Sequence, residues 1–276
     1  MKVSKRIAPK RAHKEGVVKR GRVLNAKESA TKEDWVADTG PGDNLPEVVD
    51  LRKGAPRGFS MPYDQGRTGS CVGQAVSKVL AYELWQTGKL VKTHWRYLPS
   101  PKFIWMASKE TDAWTHRPTT MLQTTGTYVK DALDVLRKHG ACTDRDLPMD
   151  SAGSLLPWQQ FYARCEEFKI KSYHSLSPWG KGFNSEGLRE WLANKGPAVT
   201  RFNVDEGFMR ANSRTKILEP TKKHNYGGHA AVWIGYGPGY FLLLNSWGTR
   251  WGNKGVIKVS EEWAKLKASE SYGIEV

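Results

Sequence analysis

Tyr63-Asp64-Gln65-Gly66-Arg67-Thr68-Gly69-Ser70-Cys71 is a polar, glycine-punctuated turn that runs straight into an apolar period. Val72, Ala75, Val76, Val79, Leu80 and Leu84 recur at helical spacing, and Gly88 stands where a C-terminal cap is expected. The pattern predicts a helix over 71–87. Cys71 opens that helix, where unpaired backbone N–H groups and the positive end of the helix dipole stabilise a thiolate. A thiolate is the form in which cysteine acts as a nucleophile. A free cysteine is more often a small buried hydrophobe, so its position alone does not decide its role. Gln65 lies just upstream in the same turn. Its side-chain amide, together with the Cys71 N–H, would form an oxyanion hole, in which one donor is worth about 100- to 1,000-fold in rate. Composition alone favours a polar turn residue there.

Two further residues stand at the ends of short strand-like runs. His229, in Gly227-Gly228-His229-Ala230-Ala231-Val232, precedes one run, and Asn245 follows the next. If Gly237-Pro238-Gly239 is a three-residue hairpin loop, Tyr236 pairs with Tyr240 and Asn245 falls opposite Ala231. His229 is then on the same face, two residues away. Such diagonal neighbours lie roughly 7–8 Å apart at Cα, so imidazole and carboxamide can touch. A one-residue slip would send them to opposite faces. An asparagine oxygen that accepts from a ring N–H fixes the imidazole tautomer and leaves the other nitrogen for a thiol. Cys, His and Asn in that order make the cysteine version of the catalytic triad. His224, close by, lacks the glycine-flanked entry into a strand.

Around these residues the pattern predicts helices over 128–139 and 186–194, each stopped by glycine. Short strands follow over 199–204, 230–236, 240–244 and 256–259. Helices first and strands later is the order of an α+β protein with segregated lobes.

The chain has 276 residues, 43 Lys and Arg against 28 Asp and Glu, and a net charge of +15. Residues 1–30 hold ten of the basic and two of the acidic side chains. No apolar period runs through them, so 1–45 reads as a basic, solvated arm and linker, with the compact domain over 46–276. The arm is open to three readings: a solvated tail, a tether to nucleic acid or another polyanion, or a segment removed on activation. No apolar run reaches the length of a membrane span, and the N-terminus lacks the apolar core of a signal peptide. Cys71, Cys142 and Cys165 make no disulfide framework, which points to an intracellular or virion-associated setting. Cys142 and Cys165 lack C-x-x-C spacing, so neither a metal nor another cofactor is expected. They read as buried spacers, with a disulfide between them as the alternative.

The 63–71 stretch, the Gly227–Ala230 stretch and Asn245-Ser246-Trp247-Gly248-Thr249-Arg250-Trp251-Gly252 together resemble the three signature blocks of papain-like cysteine peptidases. The resemblance covers about 48–276 and is closest to the disulfide-poor bacterial and viral members. It implies two lobes, one mainly helical and one β-barrel-like, with the active site in the cleft between them. It implies a polypeptide substrate. It also implies Cys71 as nucleophile, His229 as base, Asn245 as its orienter and Gln65 in the oxyanion hole. Trp247 matches the tryptophan that shields the His–Asn contact. Gly126 matches the glycine of a substrate-binding wall, and Gly228 stands just before the histidine, where some members carry Asp. His229 and Asn245 follow Cys71 at more than the roughly 130–150 residues of the family signature, so insertions are expected near 111–125 and 210–223. Val72 replaces the usual aromatic after the nucleophile, and Thr68 stands where many members have a disulfide cysteine. Two other expectations remain beside hydrolysis: a papain-fold binding protein of little activity, and a nucleic-acid- or virion-associated protein tethered by its arm.

Overall fold

The computed structural model describes residues 16–18, 22–24, 26–38, 44–111, 126–154, 156–178, 180, 182–221 and 225–276. Most of one expected insertion, 112–125, and His224 lie outside the described residues. The strands are β1 (Gly16–Val18), β2 (Arg22–Leu24), β3 (Val49–Asp50), β4 (Ser172–Ser175), β5 (Ala198–Asn203), β6 (Gly228–Gly237), β7 (Tyr240–Leu244), β8 (Val256–Ser260) and β9 (Ala268–Glu275). Among the described residues β1 and β2 form a small hairpin. The other seven form one antiparallel sheet in the order β4-β9-β5-β6-β7-β8, with β3 laid on β6.

The β6–β7 hairpin differs from its expected form in a way that leaves the site intact. Its loop is the two residues Pro238-Gly239, because Gly237 pairs with Tyr240. That is one residue out of the expected register. A bulge between Trp233 and Gly235 then absorbs one residue, and Trp233 pairs with Leu243 and Val232 with Leu244. A bulge sets two residues against one and so shifts register by one. The two offsets cancel before the strand ends, and the next step in that register faces Ala231 towards Asn245.

The helices are α1 (Arg57–Ser60), α2 (Cys71–Gln86), α3 (Pro101–Thr111), α4 (Val129–Lys138), α5 (Trp158–Glu166), α6 (Ser185–Asn194), α7 (Glu206–Arg210) and α8 (Glu261–Lys267). Gly88 and Gly140 take up the left-handed conformation that ends α2 and α4. The sequence read one apolar stripe along α2. In fact every residue from Cys71 to Leu84 is buried, Lys78 and Glu83 included. α3 and α4 cover it on one side and β6 on another. A helix enclosed on all sides belongs to a core, not to a surface.

β6 divides two cores. Ala230, Val232 and Ile234 join the cluster of α2 and α4, while Ala231, Trp233 and Tyr236 join the cluster of α6 and α8. One strand buried on both faces is therefore the wall the lobes share. His229 stands at its first turn of pleat, on the side of the second core.

Candidate active site

His229 Nε2 lies 2.7 Å from Asn245 Oδ1. The same oxygen accepts the Ser246 backbone N–H at 2.8 Å. An atom that accepts from a backbone N–H is the carboxamide oxygen and has no proton to give. Nε2 must therefore carry the ring proton, which leaves Nδ1 as the nitrogen for proton exchange with a thiol. Asn245 is itself fixed by its own N–H, which donates to the Gly255 carbonyl at 2.9 Å.

Aromatic rings close this pair off from water. Trp247 packs on the imidazole with centroids 4.9 Å apart, and Phe202 and Phe208 meet its other sides at 5.6 and 6.0 Å. Phe202 sits directly opposite His229 on β5. Phe208 is presented by α7, which Asp205 caps through the Phe208 N–H at 2.9 Å. A cap of this kind is worth about 1 kcal/mol. From sequence, Asp205 could have marked the start of this turn as a cap residue, but nothing in Asp205-Glu206-Gly207-Phe208 points to the histidine.

Cys71 is the first residue of α2, after Ser70. Gln65 is buried in the turn before it and held at three points. Its N–H donates to the Ser246 carbonyl at 2.9 Å, its Oε1 accepts the Ser246 hydroxyl at 2.6 Å, and its Nε2 donates to the Thr68 carbonyl at 2.9 Å. Thr68, in place of a disulfide cysteine, closes the turn with a hydroxyl that donates to the Gln65 carbonyl at 2.8 Å. Asp64 bridges Trp247, and the Gly248 N–H donates to the Tyr63 carbonyl at 2.8 Å. The 63–65 and 245–248 segments are thus stitched together, bringing Gln65 and Asn245 to one place.

The sequence model for the papain family cysteine protease matches residues 45–274. The chain belongs to the papain family of cysteine proteases. A cathepsin B-like protein of Giardia intestinalis is 26% identical over 225 residues, covering 79% of this chain and 69% of that protein. An uncharacterised peptidase C1-like protein of Acanthamoeba polyphaga mimivirus is 25% identical over 226 residues, covering 77% and 68%. The crystal structure of xylellain, a cysteine protease from Xylella fastidiosa, superposes with a TM-score of 0.76 at 24% identity, over 98% of this chain and 99% of that one. At that identity the superposition shows the two-lobed fold. The papain-family chain is a peptidase.

One feature of this family member departs from the reading of 1–45 as a solvated arm. Leu24 and residues 26–37 pack on the domain. Leu24 and Ala26 are buried. The Ala26 N–H donates to the Gly228 carbonyl at 3.0 Å, and the Lys27 N–H donates to the Thr127 carbonyl at 3.2 Å. Gly228 lies beside His229, and Thr127 follows Gly126, so the segment joins the wall at Gly126 to the residue before the histidine. A Cβ on Gly228 would stand 2.0 Å from the Ala26 carbonyl oxygen, so that close approach needs a glycine. With the segment in place Cys71 and His229 have no exposed surface. Apolar periodicity misses such a segment because backbone pairing and a few polar anchors hold it.

Those anchors are specific. The Ser29 N–H and hydroxyl donate to Glu270 at 3.1 and 3.0 Å. Tyr272 donates to Asp34 at 2.7 Å, and Lys130 pairs with the same carboxylate. Burial acts to raise the Asp34 carboxyl, but hydrogen bonds from Lys130, Tyr272 and Thr31 outweigh it and hold the group below its ordinary value. For Glu270 burial wins over the Ser29 bonds and the Arg201 charge, and the carboxyl is pushed up to about 7. Between its ordinary value and about 7 the folded state keeps a proton that the unfolded chain has lost, so Glu270 makes stability fall as pH rises through that window. Glu270→Gln is expected to leave the melting temperature unchanged near pH 4 and to raise it relative to the parent at pH 8. Thermal melts across that range check it, and a constant difference would refute the assignment.

Cys142 and Cys165 are buried free thiols. A hydrogen bond to Cys165 and burial push the Cys142 thiol well up, which keeps it protonated and unreactive.

Proposed function

We propose that this peptidase is a cysteine endopeptidase that works through a Cys71 thioester and is held latent by residues 24–37. The observation that carries the reading is the Nε2–H to Asn245 Oδ1 bond, which leaves Nδ1 for the thiol at the mouth of α2. Cys71 gives up its proton to Nδ1, and its sulfur attacks the substrate carbonyl. The oxyanion is held by the Cys71 N–H and the Gln65 carboxamide. His229, now imidazolium, protonates the leaving amine and then draws a proton from water to hydrolyse the thioester. Asn245 keeps Nε2 protonated throughout, so the ring exchanges protons at one nitrogen only. Trp247, Phe202 and Phe208 keep water from competing for that bond. Gly126 and Gly228 border the backbone groups along which a substrate chain would lie, where Ala26 and Lys27 now lie.

An epoxide that alkylates activated thiols tests the assignment by mass. Protein trimmed to begin at residue 45 should take up one label, on Cys71, and Cys71→Ala should take up none. Labelling of Cys142 or Cys165 instead, or of neither form, would overturn it.

A further inference from the structure

Lys78 is the one lysine among the described residues of α2, and it lies in the middle of the core with 3% of its surface exposed. No carboxylate among the described residues pairs with it. Its ammonium sits over the Tyr63 ring, 3.8 Å from the centroid, and donates to the Gly58 carbonyl. Tyr63 is further held by its hydroxyl, 3.3 Å from Ser77 Oγ, which donates to the Pro99 carbonyl at 2.6 Å. A buried cation without a counter-ion is costly, and an apolar residue of similar length would pack there more cheaply. Burial pushes Lys78 down to about 7. Something other than stability therefore has to account for the charge.

The location suggests what. Tyr63 begins the short segment that carries Gln65 and is bridged to Trp247 through Asp64. Its carbonyl accepts the Gly248 N–H, and two residues on the Gln65 N–H meets the Ser246 carbonyl. A small cavity of about 10 Å³ lies here, lined by Tyr63, Gln74, Lys78, Ala230, Asn245 and Ser246 among others. Lys78 thus holds Tyr63 through its ammonium and lines the same small space as the Asn245–Ser246 pair. The cation is one of two contacts, with Ser77, that hold the Tyr63 ring, and Gln65 follows two residues on in the same segment, where a donor in an oxyanion hole tolerates little displacement.

We propose that Lys78 is a positioning residue for the oxyanion hole, its ammonium clamping Tyr63 so that the 63–65 segment holds the Gln65 carboxamide at the height of the developing oxyanion. The proposal rests on the reading of Gln65 given above, and the test separates the two. Three variants are made in the full chain, folded, and then cleaved near residue 45: Lys78→Met, Tyr63→Leu and Gln65→Ala. Each is assayed at pH 6 for peptide hydrolysis, for the rate of Cys71 alkylation by iodoacetamide, and for melting temperature. Displacement by iodoacetamide passes through no oxyanion, so it reports the Cys71–His229 pair alone.

Gln65→Ala should lose about 100-fold or more in kcat with alkylation unchanged. Lys78→Met should lose about tenfold in kcat, with KM and alkylation changed by less than about twofold and a melting temperature equal to or above the parent's. Tyr63→Leu should show the same split between hydrolysis and alkylation, and it decides the matter if Lys78→Met does not fold. Hydrolysis by Lys78→Met at the parent's rate, or hydrolysis and alkylation falling together, would overturn the proposal while leaving Gln65 in its role. An unchanged rate in Gln65→Ala would remove the reading on which it rests.

Discussion

His229→Ala, in the chain trimmed to residue 45, is expected to lose on the order of 10⁴- to 10⁶-fold in kcat, with little change in KM. The imidazole takes up and gives back a proton in both the acylation and the deacylation half of the cycle, and nothing else beside Cys71 among the described residues is placed to replace it. Lys78 is near but buried against Tyr63 and Gly58. Gln65 and Asn245 do not titrate. The residual rate would come from the oxyanion hole and from binding, as it does when other triads lose their base. Asn245→Ala should cost less, on the order of 100-fold, because it removes the partner that fixes the Nε2 proton but leaves the base in place. Progress curves with a fluorogenic peptide, corrected for the fraction of active sites, measure both. A fall for His229→Ala smaller than that for Asn245→Ala would contradict the assigned roles.

Removing residues 1–44 should produce the second largest effect, a rise of about 100-fold or more in the rate of Cys71 labelling. The segment is tied to the domain close by, so its effective concentration at the cleft is on the order of millimolar. Even micromolar intrinsic affinity would then keep the cleft filled about 1,000 to one. The contacts to break are named: Ala26 on Gly228, Lys27 on Thr127, Ser29 on Glu270 and Asp34 on Lys130 and Tyr272. A synthetic peptide spanning 22–37 should inhibit the trimmed enzyme. Asp34→Ala in the full chain should speed labelling without any truncation. Equal labelling of full-length and trimmed protein would refute latency and leave the peptidase assignment untouched.

Much of this was legible in residue order, for identifiable reasons. α2 announced itself through its apolar period and Gly88, and the strand pair through its glycine and proline punctuation. The contact between His229 and Asn245 came out of simple register counting, but the count was right at the site and wrong at the loop. A two-residue turn and a bulge each moved the register by one, and only coordinates show that they compensate. α3 was missed because it begins at a proline in Pro99-Ser100-Pro101, which reads as a turn although proline suits the first position of a helix. β9 was missed because Ala268–Glu275 mixes Ser, Glu and Gly with its apolar residues, and its polar side chains are satisfied inside the protein. Glu270 and Arg201 gave no hint of their place, since their pairing across β5 and β9 is a fact of topology. The packed part of the arm was the largest omission. Its composition is that of a solvated tail, and the four residues that anchor it are scattered along 26–34.

The way that segment crosses the cleft bears on how it can change over generations. At its centre one carbonyl on each wall accepts a peptide N–H, from Ala26 and from Lys27, while the Ala26 carbonyl accepts the Arg201 side chain at 3.3 Å and the Lys27 ammonium lies over the Tyr128 ring. The peptide bonds themselves do not depend on side-chain identity, but the buried Ala26 has room only for a small residue, and neither position accepts proline, which has no N–H to give. Under the proposed latency, heritable tuning falls to Ser29 and Asp34, away from the catalytic centre, where a single base change would alter how readily the cleft opens and leave the chemistry beneath it as it was.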